Sequence, residues 1–177
     1  MNKQENDKKI QEVQDLIEEI YRVLGVPPTP DNFDTPYRVA KMWVNEVFAY
    51  PDVEELDKQM KLFPNPVPVE GNPSPVVCEV EFSSFCNHHL LPFFGKCRIE
   101  YTPTKSILGL SKFNRIVNFF SQRPQTQENL TRDICMYVKE ITEGKNVRVT
   151  LYDTTHTCVE CRGVRGKSNT RTEYFID

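Results

Sequence analysis

The feature of this sequence that most constrains its fold is a single change in hydrophobic periodicity along the chain. Before residue 50, apolar side chains recur at steps of three and four, which predicts amphipathic helices over 8–24 and from Asp34 onward. Beyond residue 75, apolar and polar side chains alternate instead, which predicts strands. Four segments alternate in this way: 76–82, 97–101, 147–151 and 170–176.

Two further helices are predicted between the second and the third of these strands. One begins with Ser111 as its N-cap, and the other begins near Thr126 and ends at Gly144. The order is therefore strand, strand, helix, helix, strand, strand, behind two N-terminal helices. This order predicts an α+β fold in which helices back an antiparallel sheet.

A run of prolines separates the helical part from the strand-rich part. These prolines are Pro51, Pro64, Pro66, Pro68, Pro73 and Pro75. Proline at this density favours irregular extended structure. We therefore expect an N-terminal helical arm over 1–50, a proline-rich connector over 51–75 and the main, catalytic domain over 76–177.

Charge and hydropathy argue against several classes of function. The net charge is −3, so no overall positive field favours nucleic acid. No apolar run reaches the roughly 20 residues that a membrane helix needs, and the first residues lack the apolar centre of a signal peptide. We expect a soluble, cytoplasmic protein whose six cysteines are thiols or metal ligands.

All three histidines of the chain lie within three residues of a cysteine. Zinc binds cysteine sulfur and histidine nitrogen tetrahedrally, and a catalytic zinc leaves one of its four positions to water. The residues Cys86, His89 and Cys158 would make such a set, with His88 and His156 left as bases for proton transfer. If the strand from residue 147 continues to Cys158, then His156 and Cys158 share one of its faces.

Two other zinc chemistries have to be compared with this one. Cys158 and Cys161 form a C-x-x-C pair, so Cys86, His89 and both of these cysteines would make a closed structural site without water. A nucleobase deaminase would need the patterns H-x-E and P-C-x-x-C. Neither pattern occurs in this sequence.

Basic and acidic residues near the predicted helix starts suggest a nucleotide. A helix start favours anions, and Lys112, Arg115 and Arg162 would add positive charge for a polyphosphate. The carboxylate of Glu128 would accept the N1–H and 2-amino hydrogens of guanine, a pair that adenine lacks. Taken singly, each cation is more typical of a solvated face, and Glu128 is more typical of a favourable charge in a first helical turn.

Five segments taken together resemble the GTP cyclohydrolase I family. They are DTPYRVAKM (34–42), SFCNHHLLPF (84–93), GLSKFNRIV (109–117), QRPQTQENLT (122–131) and HTCVECRGVR (156–165). They occur in the family's order. The resemblance implies the tunnelling fold, in which ββααββ units join side by side into a barrel, and a decamer of two facing pentamers with sites at subunit boundaries.

The resemblance also implies a reaction, in which metal-activated water opens the imidazole ring of GTP, formate leaves and 7,8-dihydroneopterin triphosphate forms. It implies that zinc is bound by Cys86, His89 and Cys158, with His88 and His156 as acid/base groups. The remaining roles implied are guanine binding by Glu128 with Gln127, a ribose contact from Ser111, and triphosphate contacts from Lys112, Arg115, Arg162 and, across a subunit boundary, Arg38.

The sequence departs from the family pattern at two positions. Asn87 replaces the usual glutamate of C-E-H-H, which would alter the hydrogen bonds around the metal ligands. Cys161 replaces the more usual methionine or alanine. Two alternatives follow: a non-catalytic zinc module that binds a purine nucleotide, and a related tunnelling-fold enzyme that acts on another purine or pterin.

Overall fold

The computed structural model of the chain describes residues 3–67 and 74–177. It consists of two compact units, residues 1–50 and residues 51–177. Pro68 and Pro73 of the expected connector lie outside the described residues. Among the helices in the described ranges, none combines the length and the apolar character that crossing a bilayer requires.

The N-terminal unit contains helix α1 (Lys3–Val23) and helix α2 (Thr35–Met42), which continues as a π-helical turn over Trp43–Val47. Ile10, Ile17 and Ala40 are buried together between the helices. Both predicted helices are confirmed. Helix α1 begins earlier than predicted because its first turns are polar and carry no apolar periodicity.

The second unit contains a five-stranded sheet in the order β5-β2-β3-β6-β7, antiparallel except for the β5–β2 pair, and a separate antiparallel β1–β4 pair. The predicted α+β architecture and its strand–strand–helix–helix–strand–strand order are confirmed. Its elements are α3 (Val53–Asp57), β1 (Leu62–Pro64), β2 (Val76–Cys86), β3 (Pro92–Thr102), β4 (Ser106–Leu108), α4 (Ser111–Ser121), β5 (Pro124–Gln125), α5 (Gln127–Thr142), β6 (Lys145–His156), α6 (Thr157–Glu160) and β7 (Thr170–Ile176).

The core of this unit lies between one face of the sheet and helices α4 and α5. On β2, the side chains of Val80 and Phe82 are buried and those of Glu79 and Glu81 are exposed. This alternation follows from the two-residue period of a strand. A shift of one residue in the pairing of β2 would turn Val80 and Phe82 away from the core. The register of β2 is therefore well determined.

The ends of two helices differ from the sequence prediction. Helix α4 begins at Ser111 itself, and its N-cap is Leu110, which offers no side-chain acceptor. Helix α5 has the predicted N-cap Thr126, but the left-handed residue at its end is Glu143, with φ 49°. Gly144 serves another purpose, because a Cβ there would lie 2.6 Å from Cδ2 of the Tyr101 ring.

The expected connector is also more regular than proline content suggested. Residues Val53–Asp57 form helix α3, and Leu62–Pro64 forms strand β1. The helix begins after Asp52, whose side chain accepts a hydrogen bond from the Glu54 amide. An N-cap and acidic residues in the first turn are sufficient for one short helix between prolines.

We predict that Gly95→Ala destabilises the second unit by about 1–3 kcal/mol, the usual range for overpacking. A Cβ at Gly95 would lie 2.8 Å from the Tyr152 carbonyl oxygen and 2.9 Å from the Thr154 Cα, where β3 crosses β6. Chemical denaturation measures the change. The control is Gly166→Ala, whose new Cβ meets nothing nearer than 3.7 Å. Equal stability of the two variants would contradict this close approach.

Candidate active site

Strand β3 brings the two cysteine–histidine clusters together. It pairs antiparallel with both β2 and β6, so the carboxyl ends of β2 and β6 reach the same edge of the sheet. Cys86 is the last residue of β2, and His156, the last residue of β6, pairs with Phe93. Two sequence-distant clusters therefore become neighbours.

A tight turn after β2 directs both adjacent histidines back toward Cys86. The Cys86 carbonyl accepts hydrogen bonds from the amides of His89 at 3.3 Å and Leu90 at 2.8 Å, and Leu90 adopts a left-handed φ of 53°. The Cys86 sulfur then lies 3.7 Å from Nδ1 of His88 and 3.9 Å from Nδ1 of His89. Local backbone bonding therefore places three donor atoms together.

Helix α6 brings the second cysteine to the same place. Strand β6 ends at His156, and the Thr157 hydroxyl donates a 2.6 Å hydrogen bond to the carbonyl of Pro92. Proline lacks an N–H, so ladder pairing stops here. The expectation that His156 and Cys158 share one face of a continuing strand is therefore wrong, because a helical turn carries Cys158.

Three donor atoms in this region fit a metal ion. The ligand atoms of Cys86, His89 and Cys158 all lie within 4.8 Å of one another. Tetrahedral zinc with sulfur at about 2.3 Å would hold its ligands roughly 3.7 Å apart, so only a small adjustment is required. The donor set combines soft sulfur with imidazole nitrogen. Zinc binds such donors, whereas calcium and magnesium prefer oxygen ligands.

The environment of Cys158 alone keeps its thiol protonated. Burial, followed by the neighbouring Cys86 side chain, raises the pKa of Cys158, while the positive charge of Arg162 lowers it. Metal ligation at Cys158 would therefore release a proton, since the ligand is the thiolate. Cys161 is exposed and does not belong to the three-donor group.

His156 is held on two sides. Its ring stacks on the fully buried Phe93 ring with centroids 4.8 Å apart and planes 2° from parallel. Its Nε2 lies 2.9 Å from Oε1 of Gln127. Burial lowers the pKa of His156 below its usual value, and the nearby Glu128 carboxylate opposes that shift. Burial therefore favours the neutral form of the ring.

Helix α5 presents its first two residues to the same cavity. Strand β5 lies beside β2, and the Asn87 amide donates to the Gln125 carbonyl at 3.1 Å, which fixes the start of α5. The cavity holds about 450 Å³. The predicted residues that line it are Cys86, His88, His89, Gln127, Glu128, His156 and Cys158.

Other predicted residues lie elsewhere. Ser111, Lys112 and Arg115 are at the start of α4, outside this cavity, and Arg115 donates to the Gln59 side chain at 2.6 Å. Arg162 is exposed and near enough to Cys158 to influence its pKa. Arg38 belongs to the N-terminal unit, where it pairs with Asp34 at 2.8 Å.

Sequence reasoning missed two residues that contact the side chains of His156 and Gln127. Phe93 supports the His156 ring, and Thr170 contacts Gln127. Phe93 falls within one of the five family-like segments, but as an apolar residue on an alternating strand it gave no signal beyond core packing. Thr170 gave none, because only the pairing of β7 with β6 brings it to the cavity.

Comparisons with known proteins agree with this arrangement. The family model described as GTP cyclohydrolase I matches residues 13–176. A GTP cyclohydrolase 1 of Yersinia enterocolitica is 36% identical over 175 residues, covering 97% of this chain and 78% of its own length. One of Vibrio cholerae is 35% identical over 172 residues, covering 93% of this chain and 75% of its own length.

Among solved structures, the apo form of the archaeosine synthase QueF-Like aligns with a TM-score of 0.44 and 21% identity, over 58% of this chain and 95% of that one. The sheet backed by helices, with its ββααββ order, is consistent with the expected tunnelling fold. The family model and the relatives identify the protein as a hydrolase. The chain belongs to the GTP cyclohydrolase I family, with the metal-donor group of Cys86, His89 and Cys158 in its cavity.

We predict that Cys86→Ser and Cys158→Ser abolish tight zinc binding, whereas Cys161→Ser retains about one ion per chain. Removing one of three thiolate or imidazole donors leaves too few ligands for a tetrahedral site. Elemental analysis after gel filtration of zinc-loaded protein gives the stoichiometry. Loss of the ion from Cys161→Ser would instead support a closed site with four protein ligands.

Proposed function

We propose that this protein hydrolytically opens the imidazole ring of GTP, releases formate and forms 7,8-dihydroneopterin triphosphate, with zinc as its metal. The observation that carries the proposal is the composition of one cavity, in which a Cys-His-Cys donor group, two more histidines and Glu128 lie together. Family membership and relatives that are GTP cyclohydrolases support the same reaction.

The metal ligands in this proposal are Cys86, His89 and Cys158. When bound there, zinc supplies Lewis-acid activation of water near neutral pH, provided that one coordination position stays open. Cys161, which would close that position, is exposed and does not belong to the donor group.

The two remaining histidines move protons. His156 is neutral because burial lowers its pKa, so it accepts a proton from the attacking water and passes it to purine N7 as C8 is attacked. His88, whose Nδ1 lies 3.7 Å from the Cys86 sulfur, serves the later proton transfers as the ring opens and formate leaves. A histidine suits both directions of transfer at neutral pH.

Guanine is selected by the first turn of α5. The exposed Glu128 carboxylate lies in the cavity wall, where it accepts hydrogen bonds from guanine N1–H and the 2-amino group. Gln127 is beside it, with its amide against His156. A site built to pair with both guanine donors rejects bases that lack them, since its acceptor would remain unpaired.

The triphosphate needs more positive charge than this cavity has in one chain. Within the described part of the chain, Arg171 is the one arginine or lysine in its lining, and Glu173 pairs with it at 2.9 Å. We therefore place the site at a boundary between copies in a homo-oligomer, for which the family resemblance implies a decamer. Lys112, Arg115, Arg162 and Arg38 add the triphosphate contacts, and Ser111 contacts the ribose.

We place the reaction in the cytoplasm. All six cysteines are free thiols in the structure, as a reducing compartment maintains them. A metal centre with two cysteine ligands depends on that reduced state.

We predict that zinc-loaded protein incubated with GTP releases formate and, after oxidation, yields a fluorescent pterin. Both products are measured in the same sample as its zinc content. Removing zinc with a chelator should abolish both, and returning zinc should restore both, because water activation depends on the ion. Folded, zinc-loaded protein that gives neither product would refute the proposed function.

We predict that Glu128→Gln raises the KM for GTP about tenfold or more, because an amide replaces one carboxylate acceptor with a donor. The loss should be smaller for inosine triphosphate, which lacks the 2-amino group. Steady-state kinetics with both nucleotides tests this. Glu140→Gln, on an exposed position of the same helix, removes the same charge and should leave both KM values unchanged.

An equal loss with the two nucleotides would mean that Glu128 acts through general electrostatics and does not read the 2-amino group.

A further inference from the structure

Thr170, the first residue of β7, has no role in the function proposed above, yet it contacts the acid/base machinery. Its hydroxyl lies 2.7 Å from Oε1 of Gln127, and the same Oε1 lies 2.9 Å from Nε2 of His156. Hydrogen bonds therefore link the Thr170 hydroxyl to the Gln127 amide oxygen and that oxygen to the His156 imidazole nitrogen.

The structure directs Oε1 of the Gln127 amide toward the other two groups. A separation of 2.7 Å is the usual length of an O–H···O bond and the lower limit for N–H···O. The Gln127 amide nitrogen in turn lies 3.4 Å from the Thr154 hydroxyl oxygen. The amide oxygen thus faces Thr170 and His156. The Thr170 hydroxyl also lies 3.3 Å from the Thr154 carbonyl oxygen, but the contact with the Gln127 amide oxygen is shorter, so that oxygen accepts the one Thr170 proton.

The remaining lone pair of the Gln127 amide oxygen can only accept a hydrogen bond, so its partner must be a donor. His156 Nε2 must then carry a hydrogen, and in a neutral imidazole the other nitrogen, Nδ1, is left as the acceptor. The ring has little freedom to leave this arrangement, because it stacks on the buried Phe93 and the Gln127 side chain is only 3% exposed.

We propose that Thr170 is a positioning residue, which acts through Gln127 to keep a hydrogen on Nε2 of His156 and so leaves Nδ1 as the nitrogen available for proton transfer. Thr170 does not touch the reacting atoms. Its hydroxyl keeps the amide oxygen, and not the amide nitrogen, directed at the ring. Without it, the amide is free to rotate and donate to Nε2, which would place the hydrogen on Nδ1.

This inference rests on the proposed function only for its kinetic consequence. The proton taken up during water attack would arrive at Nδ1, so a ring with its hydrogen on Nδ1 could not accept it there. Loss of the Thr170 hydroxyl should therefore reduce kcat about tenfold and leave KM for GTP nearly unchanged, a modest part of the usual acid/base contribution.

Magic-angle-spinning NMR of zinc-loaded protein labelled with 13C and 15N in histidine tests the tautomer without substrate. The chain has three histidines, and the signal lost in His156→Asn identifies this ring. We expect a protonated Nε2 and an unprotonated Nδ1 in the wild type. A hydrogen on Nδ1 in the wild type would overturn the proposal without any need for a Thr170 variant.

Two variants isolate the hydroxyl itself. Thr170→Val should give a mixture of tautomers and the lower kcat, and Thr170→Ser should restore the wild-type spectrum and rate. Thr172→Val is the matched control for the spectrum, because the Thr172 hydroxyl pairs with Thr131 at 2.6 Å and does not contact Gln127. An unchanged His156 spectrum in Thr170→Val would overturn the proposal.

The two proposals fail in different ways. If the wild type has the Nε2–H tautomer and Thr170→Val disturbs it, but no formate forms from GTP, the proposed function fails and the positioning role of Thr170 stands. If formate forms and the tautomer does not depend on Thr170, the positioning role fails alone.

Discussion

The pairing of β3 with β2 on one side and β6 on the other is the constraint on which the rest of the structure depends. Both neighbours run antiparallel to β3, so both end where β3 begins. That single edge receives Cys86 from β2 and His156 from β6, and the turns beyond them contribute His89 and Cys158. The buried alternation of β2 determines the register, since a slip of one residue would expose its apolar side chains.

The surroundings of this edge shift the pKa values of His156 and Cys158 in opposite directions, and each shift has a physical cause. Burial lowers the pKa of His156 and raises that of Cys158, because each charged form loses its water. Glu128 and Arg162 partly oppose these shifts with charge. A buried imidazole with a lowered pKa beside a Cys-His-Cys donor group is the kind of environment that marks a candidate functional site.

The sequence predicted the group of Cys86, His89 and Cys158 that the fold brings together, and the two further histidines beside it. It could do so because each histidine lies close to a cysteine along the chain. It missed Phe93 and Thr170, whose residue types carry no chemical signal of their own. It expected His156 and Cys158 to share one face if the strand continued to Cys158, but β6 ends at His156, where the Thr157 hydroxyl donates to the Pro92 carbonyl. Element bounds at Ser111 and Gly144 also differed, since local spacing does not record the neighbouring Tyr101 ring.

By itself, the sequence determined the order of strands and helices, the amphipathic faces and the inventory of donor groups. These depend on periodicities of 3.6 and 2 residues and on side-chain chemistry, which are local properties. Only the tertiary structure decided which residues meet, that Gln127 turns its amide oxygen to both His156 and Thr170, and that Ser111, Lys112 and Arg115 lie outside the cavity of their own chain. Those outcomes depend on strand pairing and packing between segments that no local pattern connects.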